Sequence, residues 1–168
     1  MKNLIFIGGA KGVGKSTLIE HVRYFKDIPV INTGKIYIQA KNANKNPELE
    51  IINALKTYEG IVDTHYAGYF GNGFVRALSE DNLKELAVTV SLDCILVEIN
   101  LEQLLTRRHK DSQKDRIIDI NHAGTELEEN KKHFLEYCKN LNIDGLILAN
   151  ESIEQSVQQI LRRIYDGR

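Results

Sequence analysis

The run Gly9-Ala10-Lys11-Gly12-Val13-Gly14-Lys15-Ser16, followed by Thr17, has the residue types and spacing of a loop that wraps phosphate. Gly9, Gly12 and Gly14 let backbone N–H groups curl around phosphate oxygens with no Cβ in the way. Lys15 is placed to reach β- and γ-phosphates, and the Ser16 hydroxyl to ligate Mg²⁺. Lys11, Val13 and Thr17 complete the cradle. The chemistry implied is the binding of a nucleoside triphosphate with Mg²⁺. A second candidate is Ile61-Val62-Asp63-Thr64-His65, an apolar run that ends in a carboxylate. Asp63 there holds Mg²⁺ through water or orients an attacking group; the alternative is a strand-end carboxylate that caps the next turn. His65 either touches a substrate phosphate or base, or packs. A third is the stretch from Thr106 to Arg116, where Arg107, Arg108, Lys110, Lys114 and Arg116 put five cations within ten residues. Such cations neutralise charge on a transferring phosphoryl group, and Arg makes forked contacts to phosphate oxygens. The alternative reading is a solvated surface face.

Weaker signals remain. Glu98 ends the run Ile95-Leu96-Val97-Glu98 and could serve a switch or mechanical NTPase, but no second catalytic Glu follows it. Tyr66, Tyr69, Phe70 and Phe74 either offer one ring to a base or form a loop's own small core. The five histidines have no metal-ligand spacing.

The elements that position these residues alternate. Leu4 to Ile7 reads as a buried strand before the glycine loop, and a helix follows with Leu18, Ile19, Val22 and Phe25 on one face. Pro29 to Ile31 reads as a second strand. Residues 34–58 are polar and Asn-rich up to Pro47, after which Glu48 to Tyr58 reads as a helix with Leu49, Ile52 and Leu55 inward. Gly60 to Asp63 is a third strand, residues 66–79 a glycine-bearing loop, and Ser79 caps a short helix. Cys94 to Ile99 is a fourth strand, and Asn100 caps a helix with Leu101, Leu104 and Leu105 inward. The charged stretch 106–119 breaks that pattern. Thr125-Glu126-Leu127-Glu128 reads as a capping box opening a long helix. Gly145 to Ala149 is the fifth strand. The last helix opens at Ser152 with Ile153, Val157, Ile160, Leu161 and Ile164 in a stripe. Five strands separated by helices predict an α/β fold, a three-layer α/β/α sandwich around a five-stranded parallel sheet, with ligands at the carboxyl ends of the strands.

The 168 residues predict one domain, 1–168. An apolar fraction of 42% and a charged fraction of 27% are ordinary for a globular protein, and a net charge of −1 gives no field for nucleic acid. No apolar stretch approaches the length of a membrane span, and Met1 to Leu4 is too short an apolar start for a signal peptide. Cys94 and Cys138 read as reduced thiols of a cytoplasmic protein.

The chain resembles the nucleoside monophosphate kinases, most closely the archaeal-type adenylate kinases. The residues that carry the resemblance are Gly9 to Thr17, Asn32-Thr33-Gly34, Val62-Asp63-Thr64-His65, the group Arg107, Lys110, Asp111, Lys114 and Arg116, and Asn150. It implies the P-loop kinase fold and γ-phosphoryl transfer from Mg²⁺·ATP to a small acceptor, a nucleoside monophosphate with AMP as the default. It implies an acceptor-binding insertion at about 34–59 and a short basic lid at about 106–119. Thr33, Gly34 and His65 then face the acceptor, Asn150 lies near the donor base, Arg107 and Arg116 stabilise the moving group, and Asp63 positions the metal. The sequence departs from that family at Lys35, where an Asp is common, and at Ile38, where many members carry the Arg for the acceptor phosphate. Arg76 or Lys35 is the candidate to replace it. The competing readings are a nucleotide-binding regulator or slow ATPase with no acceptor, and a kinase acting on nucleic acid.

Overall fold

The computed structural model describes residues 2–111 and 117–166. Two faces of one sheet organise it. Strand β1 (Lys2–Gly8) runs down the centre, and its side chains alternate between two cores. Ile5 and Ile7 join one cluster, Leu4 and Phe6 the other, because successive strand residues point to opposite faces. Strands β2 (Val30–Asn32) and β3 (Gly60–Asp63) lie to one side of β1, and β6 (Val90–Glu98) and β7 (Leu146–Ala149) to the other. The order is β2-β3-β1-β6-β7 and every pairing is parallel. All five expected strands are present, in a sheet covered on both faces, as the sequence predicts.

The first core packs against helices α1 (Lys15–Phe25), α5 (Leu101–Lys110) and α7 (Ile153–Asp166) through Leu18, Val22, Leu104, Val157 and Ile160. The second takes Ile52 and Leu55 of α3 (Pro47–Thr57), Leu83 and Leu86 of α4 (Glu80–Thr89), and Phe134 and Tyr137 of α6 (Ile120–Leu141). Local caps set several starts. The side chains of Ser79, Asn100 and Asn46 accept the exposed N–H groups of α4, α5 and α3.

Five details differ from the sequence reading. A helix α2 (Thr33–Asn42) occupies part of the Asn-rich segment, opened by the Asn32 side chain accepting from the Lys35 N–H. Ala67–Tyr69 and Phe74–Arg76 form a two-stranded antiparallel hairpin, β4 and β5, where a loop was expected. Helix α6 starts at Ile120, because the Asp119 carboxylate accepts the His122 N–H at 2.7 Å; Thr125 therefore lies inside the helix and opens nothing. Phe25 and Leu49 are exposed, and Ile51 takes the inward position on α3. The helical pattern also continues through Thr106 to Lys110 as the end of α5. Among the described residues no helix is long and apolar enough to cross a membrane.

Candidate functional site

The carboxyl ends of β1, β3, β6 and β7 meet at the glycine loop. Gly9, Gly12 and Gly14 have φ of 141°, 96° and 100°, values that favour glycine. A Cβ on Gly9 would also collide with the Val97 carbonyl of β6, so the loop seats directly against the sheet. Lys15 is the first residue of α1 and is buried. Its Nζ donates to the carbonyls of Gly9 at 2.7 Å and Ala10 at 3.1 Å, inside the curl of the loop. His65 Nδ1 meets the Gly9 carbonyl at 2.6 Å and therefore carries a proton there. Its 3.4 Å approach to Lys15 Nζ is then two donors around one carbonyl.

The loop is gripped from two sides. On the β7 side, Arg107 Nη1 and Asn150 Nδ2 both donate to the Val13 carbonyl, at 2.9 and 2.8 Å. Arg107 Nη2 also reaches the Asn150 carbonyl at 3.2 Å. The Asn150 N–H donates to the Glu98 carbonyl at 2.8 Å, which ties this corner to the end of β6. Asn150 Oδ1 is buried with no hydrogen-bond partner among the described residues. On the β3 side, the Lys11 N–H donates to Glu126 Oε1 at 2.7 Å, while Arg108 Nε and Nη2 donate to the Lys11 carbonyl at 3.0 and 2.7 Å. Arg108 and Glu126 pair at 2.6 Å, with side chains 1% and 6% exposed. Sequence reasoning took Arg108 as one cation of a run and Glu126 as a capping-box residue, and missed this contact. No local pattern reports it, since the partners come from two helices.

Two cavities flank the loop. The first, about 610 Å³, is lined by Gly14, Lys15, Ser16, Asp63, Arg107 and Asn150 among others. Asp63 is oriented there by the Asn32 amide, whose Nδ2 donates to Asp63 Oδ2 at 2.7 Å. The same Asn32 caps α2 through its Oδ1, so one side chain sets both the helix and the carboxylate. The second cavity, about 500 Å³, is walled by Tyr37, Ile38, Tyr69, Phe70 and Phe74. Tyr37 and Phe70 lie 5.4 Å apart between centroids, and His122 meets Tyr69 edge-to-face at 4.9 Å and Phe74 at a tilt at 5.1 Å. Lys11, Gly34, Thr64 and His65 line both cavities. Thr33 Oγ1 donates to Thr64 Oγ1 at 2.9 Å and lines the second.

The structure thus brings together Gly12, Gly14, Lys15, Ser16, Thr17, Asp63, His65, Arg107 and Asn150 around one cavity. It departs from one expectation. Arg76 lines neither cavity; its guanidinium pairs with Glu136 and lies 3.9 Å from Glu80. Phe74 and Ala77 on either side of it line the second cavity, while the pairing with Glu136 holds the Arg76 side chain against α6. Tyr66 offers no ring to a ligand: it is fully buried, its hydroxyl donating to the Ile95 carbonyl at 3.1 Å beneath Gly8. Glu98 faces a separate cleft and pairs with Lys131 at 3.2 Å. Arg116 lies outside the described residues, as does Lys114.

No protein-family model matches the chain, and no curated protein does. Solved structures do. The YorR protein of Bacillus subtilis, solved in complex with phosphorylated GDP, superposes with a TM-score of 0.71 at 16% identity, over 96% of this chain and 95% of that one. Shikimate kinase from Acinetobacter baumannii, in complex with shikimate, gives 0.61 at 16% identity over 100% and 95% of the chains. A gluconokinase from Sinorhizobium meliloti gives 0.57 at 13%, over 98% and 97%. At these identities the likeness establishes the fold, that of the P-loop kinases, and does not single out the adenylate kinase type.

Proposed function

We propose that the chain is an ATP-dependent small-molecule kinase that transfers the γ-phosphoryl group of Mg²⁺·ATP to a nucleoside monophosphate, with AMP the acceptor to test first. One observation carries this reading: two cavities lie side by side on the glycine loop and share Lys11, Gly34, Thr64 and His65 as a common boundary. A group that leaves a donor in the first can reach an acceptor in the second without crossing solvent.

The first cavity suits the donor. Loop amides and Lys15 hold the phosphates, as helix α1 directs its positive end at them. Asn150 presents a buried, unpartnered Oδ1, which suits a base that carries an amino group. Ser16 and Asp63 suit Mg²⁺ held jointly with substrate phosphates, since that ion takes few protein ligands. When bound, Mg²⁺ neutralises charge on the β- and γ-phosphates. Asp63 fixes waters around the ion, and Asn32 holds that carboxylate in one orientation. Arg107 braces Val13 and Asn150 beside the donor.

The second cavity suits a planar acceptor. Its aromatic wall offers faces on which a base stacks. That phosphorylated GDP occupies YorR, and shikimate a shikimate kinase, supports a small-molecule acceptor on this fold. A second reading, a slow ATPase or nucleotide-binding regulator, is favoured by Ile38 in that wall and by the pairing of Arg76 with Glu136. The same assay separates the two: ADP formation from Mg²⁺·ATP alone and with each of a panel of nucleoside monophosphates. Strong stimulation by one of them is the expected result. Bound ATP with slow hydrolysis that no monophosphate stimulates refutes the nucleotide-kinase reading in favour of the second.

A further inference from the structure

Lys11 stands apart from every other residue of the loop. It lines both cavities and its side chain is exposed. Its ammonium makes no hydrogen bond or ion pair with any described residue, whereas Lys15 is buried against loop carbonyls. Its backbone, by contrast, is held at both ends. The N–H is bound by Glu126 and the carbonyl by two nitrogens of Arg108. The third arm of Arg108 donates to the Ile117 carbonyl at 2.8 Å.

That grip has a physical purpose at this position. Gly12 directly follows Lys11 and Gly9 stands two residues before it, so local sterics constrain this part of the loop little and do not by themselves fix where the side chain points. A buried ion pair supplies the missing constraint. Being net neutral, it adds little field of its own to the cavities, and burying it is unfavourable unless its geometry is well satisfied. Here it is satisfied by the peptide it orients.

We propose that Lys11 is a further catalytic residue of the transfer, and that Arg108 and Glu126 are its positioning residues. This rests on the kinase reading above. As the bond between Pγ and the β–γ bridging oxygen breaks, its electron pair leaves on ADP. The bond from the acceptor oxygen to Pγ forms, and any proton on that oxygen passes to solvent. Lys11 keeps its own protons throughout. Its ammonium contacts the equatorial oxygens of the phosphoryl group while that group lies between the cavities, where negative charge has left the donor site and not yet settled in the acceptor site.

The test compares Lys11→Met, Lys11→Arg and the pair replacement Arg108→Met with Glu126→Leu. Replacing both charges by apolar residues of similar volume leaves no unpaired buried charge, so the variant is expected to fold. Steady-state turnover at saturating substrates is read beside equilibrium binding of ATP. Lys11→Met is expected to lower kcat by about 10²-fold, with ATP affinity changed by less than about threefold. Lys11→Arg restores most of the loss. The pair replacement lowers kcat as well, and adding it to Lys11→Met causes no further loss, because all three residues act through one ammonium. A purely structural pair would instead multiply its loss onto that of Lys11→Met.

Unchanged kcat in Lys11→Met, or a loss confined to ATP affinity, overturns the catalytic role. Multiplicative losses overturn the positioning role. Where the pair replacement does not fold, the Met and Arg variants at Lys11 decide by themselves. A wild-type protein that transfers to no acceptor defeats the kinase reading itself and this proposal with it, whereas an active wild type with an unaffected Lys11→Met defeats this proposal alone.

Discussion

Asn130 and Asn46 each accept two backbone N–H groups through one Oδ1, and the comparison of their alanine variants isolates what burial adds. Asn130 is completely buried on α6 and accepts from Tyr66 at 2.9 Å and Ala67 at 3.2 Å. Asn46 is exposed and accepts from Glu48 at 3.0 Å and Leu49 at 3.2 Å, as the cap of α3. Removing the Asn46 amide lets water take both donors, so Asn46→Ala is expected to cost the usual cap loss of about 0.5–2 kcal/mol. Removing the Asn130 amide leaves two donors where water does not reach. At about 1–3 kcal/mol for each orphaned buried group, Asn130→Ala is expected to cost about 2–6 kcal/mol, a large share of a typical domain stability of about 5–15 kcal/mol. A loss near 3 kcal/mol lowers Tm by roughly 6–12 °C in a chain of this size. Urea unfolding of both variants beside the wild type gives the two free energies directly. The consequence reaches the site, because Tyr66 and Ala67 directly follow Thr64 and His65 on the boundary between the two cavities. An Asn130→Ala variant no less stable than Asn46→Ala would refute the reasoning.

Three further outcomes are expected. Lys15→Ala is expected to abolish turnover, and Arg116→Ala to lower kcat more than ATP affinity; unchanged turnover in both would sink the kinase assignment. Gly14→Ala is expected to lose nucleotide binding, since φ is 100° there and a Cβ would lie 2.5 Å from Asn150 Nδ2 and 3.0 Å from Arg107 Nη1; titration with a fluorescent ATP analogue reads it, and wild-type affinity contradicts it. Cys138 is expected to alkylate before Cys94. The hydrogen bond from Cys94 holds the half-buried Cys138 thiol below the usual thiol range, while that same contact and burial push the Cys94 thiol well up. The thiolate is the reactive form, so Cys138 labelling rises with pH through a midpoint below that of a free thiol. Peptide mapping that finds equal labelling of the folded protein would contradict this.

What the sequence made legible is what local chemistry encodes. The glycine loop has its function in eight consecutive residues. The five strands announce themselves as apolar runs, and Ser79 and Asn100 as caps within one turn of the donors they satisfy. Helix α2 was hidden because its apolar face is short: Ile36 and Tyr37, which pack against the second core, and the buried Ala40 are set between Gly34 and the polar, Asn-rich residues that follow. The β4–β5 hairpin was hidden by Gly68, Gly71 and Gly73: strands of three residues owe their pairing to tertiary contacts more than to propensity. Arg108 and Glu126 looked like members of two separate patterns. Their partner is a peptide roughly a hundred residues earlier in the chain, and nothing within a helical turn of either one reports that.

The strand order explains why two cavities meet at this place. Strand β1 lies between β3 and β6, both later in the sequence, so the chain leaving β1 for α1 opens a crevice at the carboxyl end of the sheet. Residues from the two sides then face each other across one loop. From β7 and the end of α5 come Asn150 and Arg107, both on the Val13 end of the loop. From β3 and α2 come Asp63, Thr64, His65 and Thr33. Arg108, the neighbour of Arg107 in α5, reaches instead to the carbonyl of Lys11, earlier in the loop. Consecutive arginines on one helix therefore hold two carbonyls of the same loop, Val13 on the first cavity's side and Lys11 at the boundary between the two cavities. A displacement of α5 would shift Val13 and Lys11 together, which preserves the shape of the loop between them.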